Sequence, residues 1–295
     1  QGVTRSAMSY GNVASMKSHG EELSISTTNI KNKDFSWTTN FIYSHAVNEV
    51  TELMSRANTM DYISGSGFAM TGYPVRALFS IPFVGLNENG YPMFINEKGN
   101  VTTTEINFQE RDNNSYLKYE GPTDPVYTGS LGNIFTYKGF RLNIFLTYSF
   151  GNVVRLDPVF SYKYNDLSSM TKEFKNRWMM PGDEKITNVP VILSKREYND
   201  NYELHYGYNA YNYSTERVAK GDFIRMKEIS FGYDFPSKWF KGMALNSLSV
   251  KLQGTDLFLI YADKKLNGQD PEFFRAGGVS APMPKQFTLT VKAGF

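Results

Sequence analysis

Residues 127–150 read YTGSLGNIFTYKGFRLNIFLTYSF. Aromatic and aliphatic residues recur at every second position on both sides of Lys138-Gly139, and mostly polar residues lie between them. Period-two alternation is typical of β-strands, because successive side chains point to opposite faces. A dipeptide ending in glycine between two such runs predicts a hairpin with a very short turn. We therefore predict strands at 126–137 and 139–150.

The same alternation recurs along the chain. Phe35, Trp37 and Phe41 share one strand face, and Phe287, Leu289 and Val291 share another near the end. The predicted strands are seven in number, at about residues 20–30, 34–46, 126–137, 139–150, 217–235, 246–261 and 284–295. Several reach the roughly 9–11 residues that a tilted membrane-crossing strand needs.

The connections between these strands alternate in length. Short connections precede 34–46 and 139–150, and very long ones cover about 47–125 and 151–216. Transmembrane β-barrels have short periplasmic turns and long extracellular loops, whereas a soluble sandwich has no reason to sort its loops by side. This pattern favours an all-β transmembrane barrel with long extracellular loops and a periplasmic C-terminus.

Composition alone leaves a second interpretation open. Aromatic residues make up 15% of the chain and its mean hydropathy is −0.41. A soluble, tyrosine-rich β-sandwich fits these values as well as a barrel with a lipid face and a polar lumen. Seven strands cannot close a membrane barrel, because open edges leave backbone groups unpaired in lipid. The barrel reading thus requires further strands, most simply from an N-terminal part of the same protein.

The search for chemistry excludes several functions. The chain has no cysteine, a formal net charge of +2 and three histidines without ligand spacing. No nucleophile, phosphate-binding or zinc motif is present. We therefore predict no catalytic residue, no metal, no cofactor and no nucleic-acid partner. The acidic stretches 110–114 and 199–201 lack the spacing of a calcium loop and are interpreted as solvated turns.

The segment 198–213 contains six tyrosines mixed with Asn, Asp and Glu. Tyrosine presents a flat apolar ring and a hydroxyl, which suits stacking on sugars. The candidate substrate contacts are Tyr206, Tyr208, Tyr211 and Tyr213. The alternative is that these rings pack the loop against its neighbours. Residues 168–179 are predicted to form a short helix that pairs Phe174 with Trp178 in the loop core.

Several short sequences resemble the C-terminal landmarks of the SusC/RagA-like TonB-dependent transporters. They are GYPV at 72–75, DPVYTG at 124–129, GDFIRMKEISFGY at 221–233, GTDLF at 254–258, GQDPE at 268–272 and PMPKQF at 282–287. Their order and spacing carry the resemblance over roughly residues 70–295. Asp256 departs from it where asparagine is usual, as does Thr290 where glycine is common.

The resemblance implies that residues 1–295 are the C-terminal part of a 22-stranded barrel, without its plug domain and N-terminal strands. It implies a SusD-like surface lipoprotein, coupling to TonB through the missing part, and a lipopolysaccharide-containing bilayer around the barrel. Substrates of such transporters are most often oligosaccharides, and some members take peptides. Phe287 and the terminal Phe295 resemble the outer-membrane insertion signal, or anchor the last strand at the interface. A surface adhesin or scaffold without transport is the competing function, and an outer-membrane protease is a weaker one.

Overall fold

Seven long strands form one antiparallel sheet, in which each strand pairs with the next along the chain. The computed structural model describes residues 13–159, 171–242, 244–275, 278–279 and 281–295. The strands are β1 (Ala14–Lys31), β2 (Phe35–Leu53), β3 (Tyr127–Tyr137), β4 (Phe140–Phe150), β5 (Phe223–Asp234), β6 (Ser247–Ala262) and β7 (Gln286–Gly294). Within the described residues the outer edges of β1 and β7 pair with no other strand, so the sheet is open. The predicted seven-stranded, all-β part of a barrel is confirmed.

Short turns join strands at one end of the sheet, which we call the turn end. Lys138 and Gly139 both have positive φ, 46° and 92°, as a two-residue hairpin turn of the favoured twist requires. In the turn before β2, the Asn32 side-chain oxygen accepts the backbone N–H groups of Asp34 (3.1 Å) and Phe35 (2.8 Å). The long connections 54–126, 151–222 and 263–285 all attach at the opposite end, the loop end.

One face of the sheet is apolar and the other is polar. A single register row on the apolar face crosses six strands through Trp37, Phe135, Leu142, Phe231, Leu252 and Leu289. The adjacent row on the polar face passes through Ser36, Thr136, Arg141, Gly232, Lys251 and Thr290. Half or more of the Phe231, Leu252 and Leu289 side chains is exposed (50%, 54% and 66%). A wide exposed apolar face opposite a polar one is the pattern of a strand layer between lipid and lumen.

Aromatic rings border the apolar face at both ends. Phe140 and Tyr233 lie 4.4 Å apart (ring centroids) at the turn end, and Tyr43 and Tyr127 lie 6.2 Å apart at the loop end. Such rings concentrate where membrane barrels meet the two water interfaces. No helix in the described part of the chain combines the length and apolar character needed to cross a membrane.

Gly129 allows a hydrogen bond to pass over β3. The Tyr148 hydroxyl on β4 donates to the backbone oxygen of Ile42 on β2, 3.0 Å away. A Cβ atom on Gly129 would lie 2.1 Å from that oxygen and 2.4 Å from the Tyr148 hydroxyl. The missing side chain therefore lets one tyrosine link three neighbouring strands.

Replacing Gly129 with alanine is expected to break this link and to destabilise the barrel by about 2 kcal/mol, combining overpacking with a lost hydrogen bond. The measurement is the temperature at which the full-length barrel loses its folded gel mobility, which we expect to fall by several degrees. Gly132→Ala is the matched control, because its Cβ would meet Phe145 at an ordinary 3.4 Å. Equal effects of both substitutions would contradict the proposed role of Gly129.

The long connections fold together into a loop layer with its own apolar core. Its buried centre includes Ile63, Phe79, Ile81, Phe94 and Tyr211. The helices are α1 (Thr59–Ile63), α2 (Lys195–Asp200) and α3 (Leu204–Asn212), with 3₁₀ turns at Lys172–Asn176, Asp183–Lys185, Thr215–Arg217, Lys264–Leu266 and Pro271–Phe273. One more 3₁₀ turn, Ser237–Phe240, lies at the turn end between β5 and β6. Short strands pair as Ala77–Ser80 with Lys118–Pro122, Pro92–Ile95 with both Phe83–Leu86 and Val101–Thr102, Val153–Arg155 with Val218–Lys220, and Phe274–Arg275 with Gly278–Val279.

Four sequence predictions need correction. Strand β1 begins at Ala14 and not near residue 20, and β2 continues to Leu53 and does not end at residue 46. The single strand predicted at 217–235 is two strands, because regular pairing is interrupted at Gly221-Asp222, where the Asp222 carboxylate accepts the Gly151 N–H (2.7 Å). Val218–Lys220 pairs with Val153–Arg155, whereas β5 pairs with β4. The helix predicted at 168–179 is only a 3₁₀ turn over Lys172–Asn176, and its first residues, 168–170, lie outside the described residues. The backbone becomes extended at Arg177, where it bridges to Val189, so Phe174 and Trp178 do not share a helix face.

Candidate functional site

A cavity of about 1200 Å³ lies between the polar face of the sheet and the loop layer. Its floor is made by polar side chains near the loop end of β3, β4 and β5, including Thr128, Thr147, Ser149 and Lys227. Its walls come from all three long connections, including Asn152, Arg155, Asp157, Tyr213 and Glu272. This volume and this lining suit a ligand of several residues or sugar rings with many hydrogen-bonding groups.

Arg155 holds the loop layer together beside this cavity. Its Nη1 donates to the Ser214 backbone oxygen (2.8 Å), and its Nη2 donates to the backbone oxygens of Phe79 (2.6 Å) and Ile63 (3.2 Å) and to Ser80 Oγ (3.1 Å). Burial lowers the pKa of Arg155 to about 9, which leaves the guanidinium charged at neutral pH. One cation thus joins α1, the strand Ala77–Ser80 and the end of the second long connection.

A buried ion pair and two more exposed polar contacts fix the third connection over the cavity. Arg225 on β5 donates to the Asp270 carboxylate (Nη2–Oδ2, 2.6 Å), and its Nε lies 3.0 Å from Glu272 Oε2. The Arg225 and Asp270 side chains are only 6% and 10% exposed. Asn267 donates to Glu173 Oε1 (3.0 Å), which ties the third connection to the second. The wall of the cavity is therefore held by charged groups and not by apolar packing alone.

The tyrosine-rich segment contains the end of α2 and all of α3, and its four candidates separate into three environments. Tyr208 and Tyr211 are buried in the loop layer, where the Tyr208 hydroxyl donates to the Val191 backbone oxygen (2.6 Å). Tyr213 lines the cavity. Tyr206 is 41% exposed, and substrate contact by any of these four tyrosines stays a prediction. Tyr208 and Tyr211 occupy the packing role that the sequence left open as the alternative.

Two side chains that the sequence did not single out extend the exposed ring surface. The His205 ring lies 4.0 Å from Tyr206 and 4.3 Å from Tyr202 between ring centroids, and Tyr202 is 60% exposed. The helical spacing of 202, 205 and 206 is the signal that could have grouped them. We call these three rings the aromatic strip.

The acidic turn at 110–114 is explained by its own backbone. Glu110 Oε1 accepts the N–H groups of Arg111 (3.0 Å), Asp112 (2.8 Å) and Asn113 (3.1 Å), and these bonds lower the pKa of Glu110. Across the described ranges, no group of three His, Asp or Glu side chains is arranged to hold a metal ion. The turn is accordingly interpreted as structural.

The two predicted insertion-signal residues lie at the last strand. Phe287 is on the apolar face of β7, opposite Gly254, and is 72% exposed. Phe295 follows β7 at the turn end and is 84% exposed. Both positions suit an aromatic ring at or within a membrane, and their role in insertion stays a prediction.

No family model matches the chain. Among curated proteins it is 24% identical over 310 residues to TonB-dependent receptor P39 of Formosa agariphila, covering 92% of this chain and 29% of that protein. It is 25% identical over 305 residues to TonB-dependent receptor SusC of Bacteroides thetaiotaomicron, covering 98% of this chain and 27% of that protein. The chain therefore spans less than a third of the length of these relatives.

The fold is also similar to that of solved structures. The RagAB peptide transporter superposes with a TM-score of 0.72 at 21% identity, over 97% of this chain and 30% of that one. The RagAB peptide importer in its open-open state gives a TM-score of 0.71 at 20% identity, over 97% of this chain and 29% of that one.

The open meander with one apolar face has the fold of part of a transmembrane β-barrel. In sequence the chain is similar to TonB-dependent receptors, SusC among them, and in fold to RagAB, as its SusC/RagA-like sequence landmarks predict. The relatives' names describe receptors and transporters, which agrees with the prediction that the chain is not an enzyme. The total of 22 strands stays a prediction.

Proposed function

We propose that the protein containing this chain imports a nutrient across the outer membrane by TonB-coupled transport. The observation that carries the proposal is the cavity between the polar sheet face and the loop layer, within a barrel wall whose other face suits lipid. The long connections then face the cell exterior, and Phe295 lies on the periplasmic side. The remaining strands and the plug, a SusD-like lipoprotein and TonB are the proposed partners.

An oligosaccharide is the first substrate class that we propose. The aromatic strip presents exposed flat rings on the loop layer, and such rings stack on sugar faces. A peptide is the second substrate class, supported by the likeness in fold to the RagAB peptide transporter and by the charged groups of both signs that line the cavity.

Energy-dependent uptake tests the proposed function. Cells carrying the full-length protein would be offered fluorescent oligosaccharides or peptides, with functional TonB or without it. We expect uptake of one class only when TonB is functional. Binding at the cell surface without entry under either condition would favour an adhesin or scaffold and reject import.

The aromatic strip can be tested separately. Replacing Tyr202 and Tyr206 together with alanine removes two exposed rings and should weaken oligosaccharide binding about thirtyfold, because each ring contributes on the order of 1 kcal/mol. The measurement is the dissociation constant of the full-length transporter in detergent. Ile186→Ala, at a loop position that is 83% exposed, is the control. Unchanged sugar binding by the double variant would assign the strip to contact with a protein partner or to packing.

A further inference from the structure

The three short turns at the turn end of the sheet form one continuous surface, which we call the turn rim. It comprises residues 31–34, 138–139 and 235–242. The Lys138 backbone N–H donates to the Asp34 backbone oxygen (3.1 Å), and the Asp234 N–H donates to the Gly139 oxygen (2.9 Å). These bonds join the first turn to the second and the second to the end of β5. Neighbouring strands lie about 4.8 Å apart, so the rim follows β1 to β6 over roughly 24 Å.

Positive charge is concentrated on this rim. Its exposed lysines are Lys31, Lys33, Lys138, Lys238 and Lys241, against two aspartates, Asp34 and, at the end of β5, Asp234. The whole chain, by contrast, is nearly balanced, with a formal net charge of +2. Within the part of the chain that the structure describes, no carboxylate forms an ion pair with any of these lysines. The rim therefore presents uncompensated cations to whatever covers it.

Aromatic rings connect the rim to the apolar face of the sheet. Trp239, on the connection between β5 and β6, is 55% exposed, and its ring centroid lies 5.9 Å from that of Phe235. Phe235 in turn lies 4.8 Å from Tyr233, one of the rings that border the apolar face. Lys138 Nζ lies 5.3 Å from the centroid of the Tyr137 ring, which is 50% exposed. The cationic and aromatic side chains therefore meet along the line where the apolar face ends.

Lipid is the occupant that suits both kinds of side chain. Acyl chains cover the apolar face of a membrane barrel up to its bordering rings, so the headgroups lie beside the rim. Tryptophan and tyrosine are favoured at this boundary because each has an apolar ring and a polar N–H or O–H group. A cluster of four or more lysines beside a membrane attracts anionic headgroups, whereas neutral headgroups supply no net counter-charge.

We propose that the turn rim is a docking surface for anionic phospholipids. Lys138, Lys238 and Lys241 pair with the headgroup phosphates, and the Trp239 ring lies at the boundary between headgroups and acyl chains. Only the choice of leaflet rests on the proposed function: in the proposed orientation the rim lies on the periplasmic side, in a leaflet of phospholipid. The surface holds anionic lipid around this part of the barrel and anchors the connection between β5 and β6.

Quenching by brominated lipids tests lipid contact at this surface. A bimane fluorophore would be attached to the variant Ser237→Cys, next to Lys238, in a full-length protein in which every other cysteine has been replaced by serine. The protein would be reconstituted into phosphatidylcholine liposomes that contain a small, equal fraction of brominated phosphatidylglycerol or brominated phosphatidylcholine. We expect phosphatidylglycerol to be enriched about fivefold at the label, the factor for roughly one lysine beside an anionic lipid. Screening at about 1 M salt should abolish this preference.

Replacing three rim lysines together, as Lys138→Gln, Lys238→Gln and Lys241→Gln, should reduce the preference to less than about twofold while quenching by brominated phosphatidylcholine stays unchanged. The matched control replaces three exposed lysines of the loop layer, Lys98, Lys172 and Lys185, with glutamine. It removes the same charge at the other end of the sheet and should keep the preference. Trp239→Ala tests the ring separately, and should lower quenching by both brominated lipids without changing their ratio.

Four results would overturn the proposal: equal quenching by the two lipids, no quenching by either, a full preference in the rim variant, or loss of the preference in the loop-layer control. Folded gel mobility checks that each variant forms its barrel. The uptake assay gives an independent result. TonB-dependent uptake by a protein without the lipid preference would reject the lipid surface alone, whereas a lipid preference without uptake would reject import alone.

Discussion

Replacing Arg155 with leucine is expected to unfold the loop layer while the barrel strands stay folded. The substitution removes the Arg155 donor from the backbone oxygens of Ile63 and Phe79 in a buried site, whereas the Ser214 oxygen still accepts the Arg217 N–H (3.0 Å). Each unpaired buried acceptor costs about 1–3 kcal/mol, so the loss from these two is on the order of 2–6 kcal/mol. A loop layer of this size cannot lose that much and remain cooperatively packed.

Limited proteolysis of the full-length protein in detergent measures this effect. Arg155→Leu should give rapid cleavage within 54–126 and 151–222, while folded gel mobility persists. Arg155→Lys should fall between wild type and leucine, because an ammonium keeps the charge but loses the planar fork that reaches several oxygens. The control is Arg196→Leu, because the ion pair of Arg196 with Asp200 is exposed (side chains 91% and 64%). This variant should be cleaved as slowly as wild type. Wild-type protease resistance in Arg155→Leu would show that apolar packing alone holds the layer.

Removing one partner of the Arg225–Asp270 pair should release the third connection. Asp270→Ala leaves a buried guanidinium with only the half-exposed Glu272, and an uncompensated buried charge costs roughly 3–5 kcal/mol. We expect proteolysis within 263–275 and weaker ligand binding, since this segment forms part of the cavity wall.

The double replacement Arg225→Met with Asp270→Leu distinguishes the effect of the charge pair from the effect of side-chain packing. If an unpaired buried charge causes the destabilisation, the double variant should be more stable than either single variant, because it leaves no buried charge unpaired. Asp124→Ala is the matched control, because its pair with Arg76 is half exposed and should contribute less than about 1 kcal/mol. Additive losses in the double variant would mean that the two side chains act independently.

The strands could be predicted from the sequence because the membrane imposes a strict local pattern. A residue such as Leu142 must face lipid and its neighbour Asn143 must not, so position along the strand decides polarity. Strand ends are predicted least well where the chain leaves the membrane and this alternation is no longer required. The sequence alternation predicts this strand, β2, only over 34–46, whereas it continues to Leu53. Beyond His45 the β1–β2 hairpin extends past β3, and the alternation weakens.

The cavity could not be predicted, because its residues come together only through long-range contacts. Arg155 stands between Val154 and Leu156 in a short apolar run. The neighbouring sequence gives no sign that its guanidinium donates to the backbone oxygens of Ile63 and Phe79. Tyr206 and Tyr208 looked alike in the sequence, yet α3 exposes the first and buries the second. Composition suggested binding residues in this segment, but only the fold separates surface rings from core rings.

Lipid exposure along β4 tests the central claim most directly. The chain itself contains no cysteine. Single cysteines can therefore be placed at successive positions from Arg141 to Leu146 and spin-labelled in liposomes, in a full-length protein in which every cysteine outside this chain has been replaced by serine. The account predicts that labels at 142, 144 and 146 collide with lipid-soluble oxygen, whereas labels at 141, 143 and 145 collide with a water-soluble relaxing agent or are shielded from both. Uniform access of the water-soluble agent to all six positions would contradict a membrane-spanning sheet.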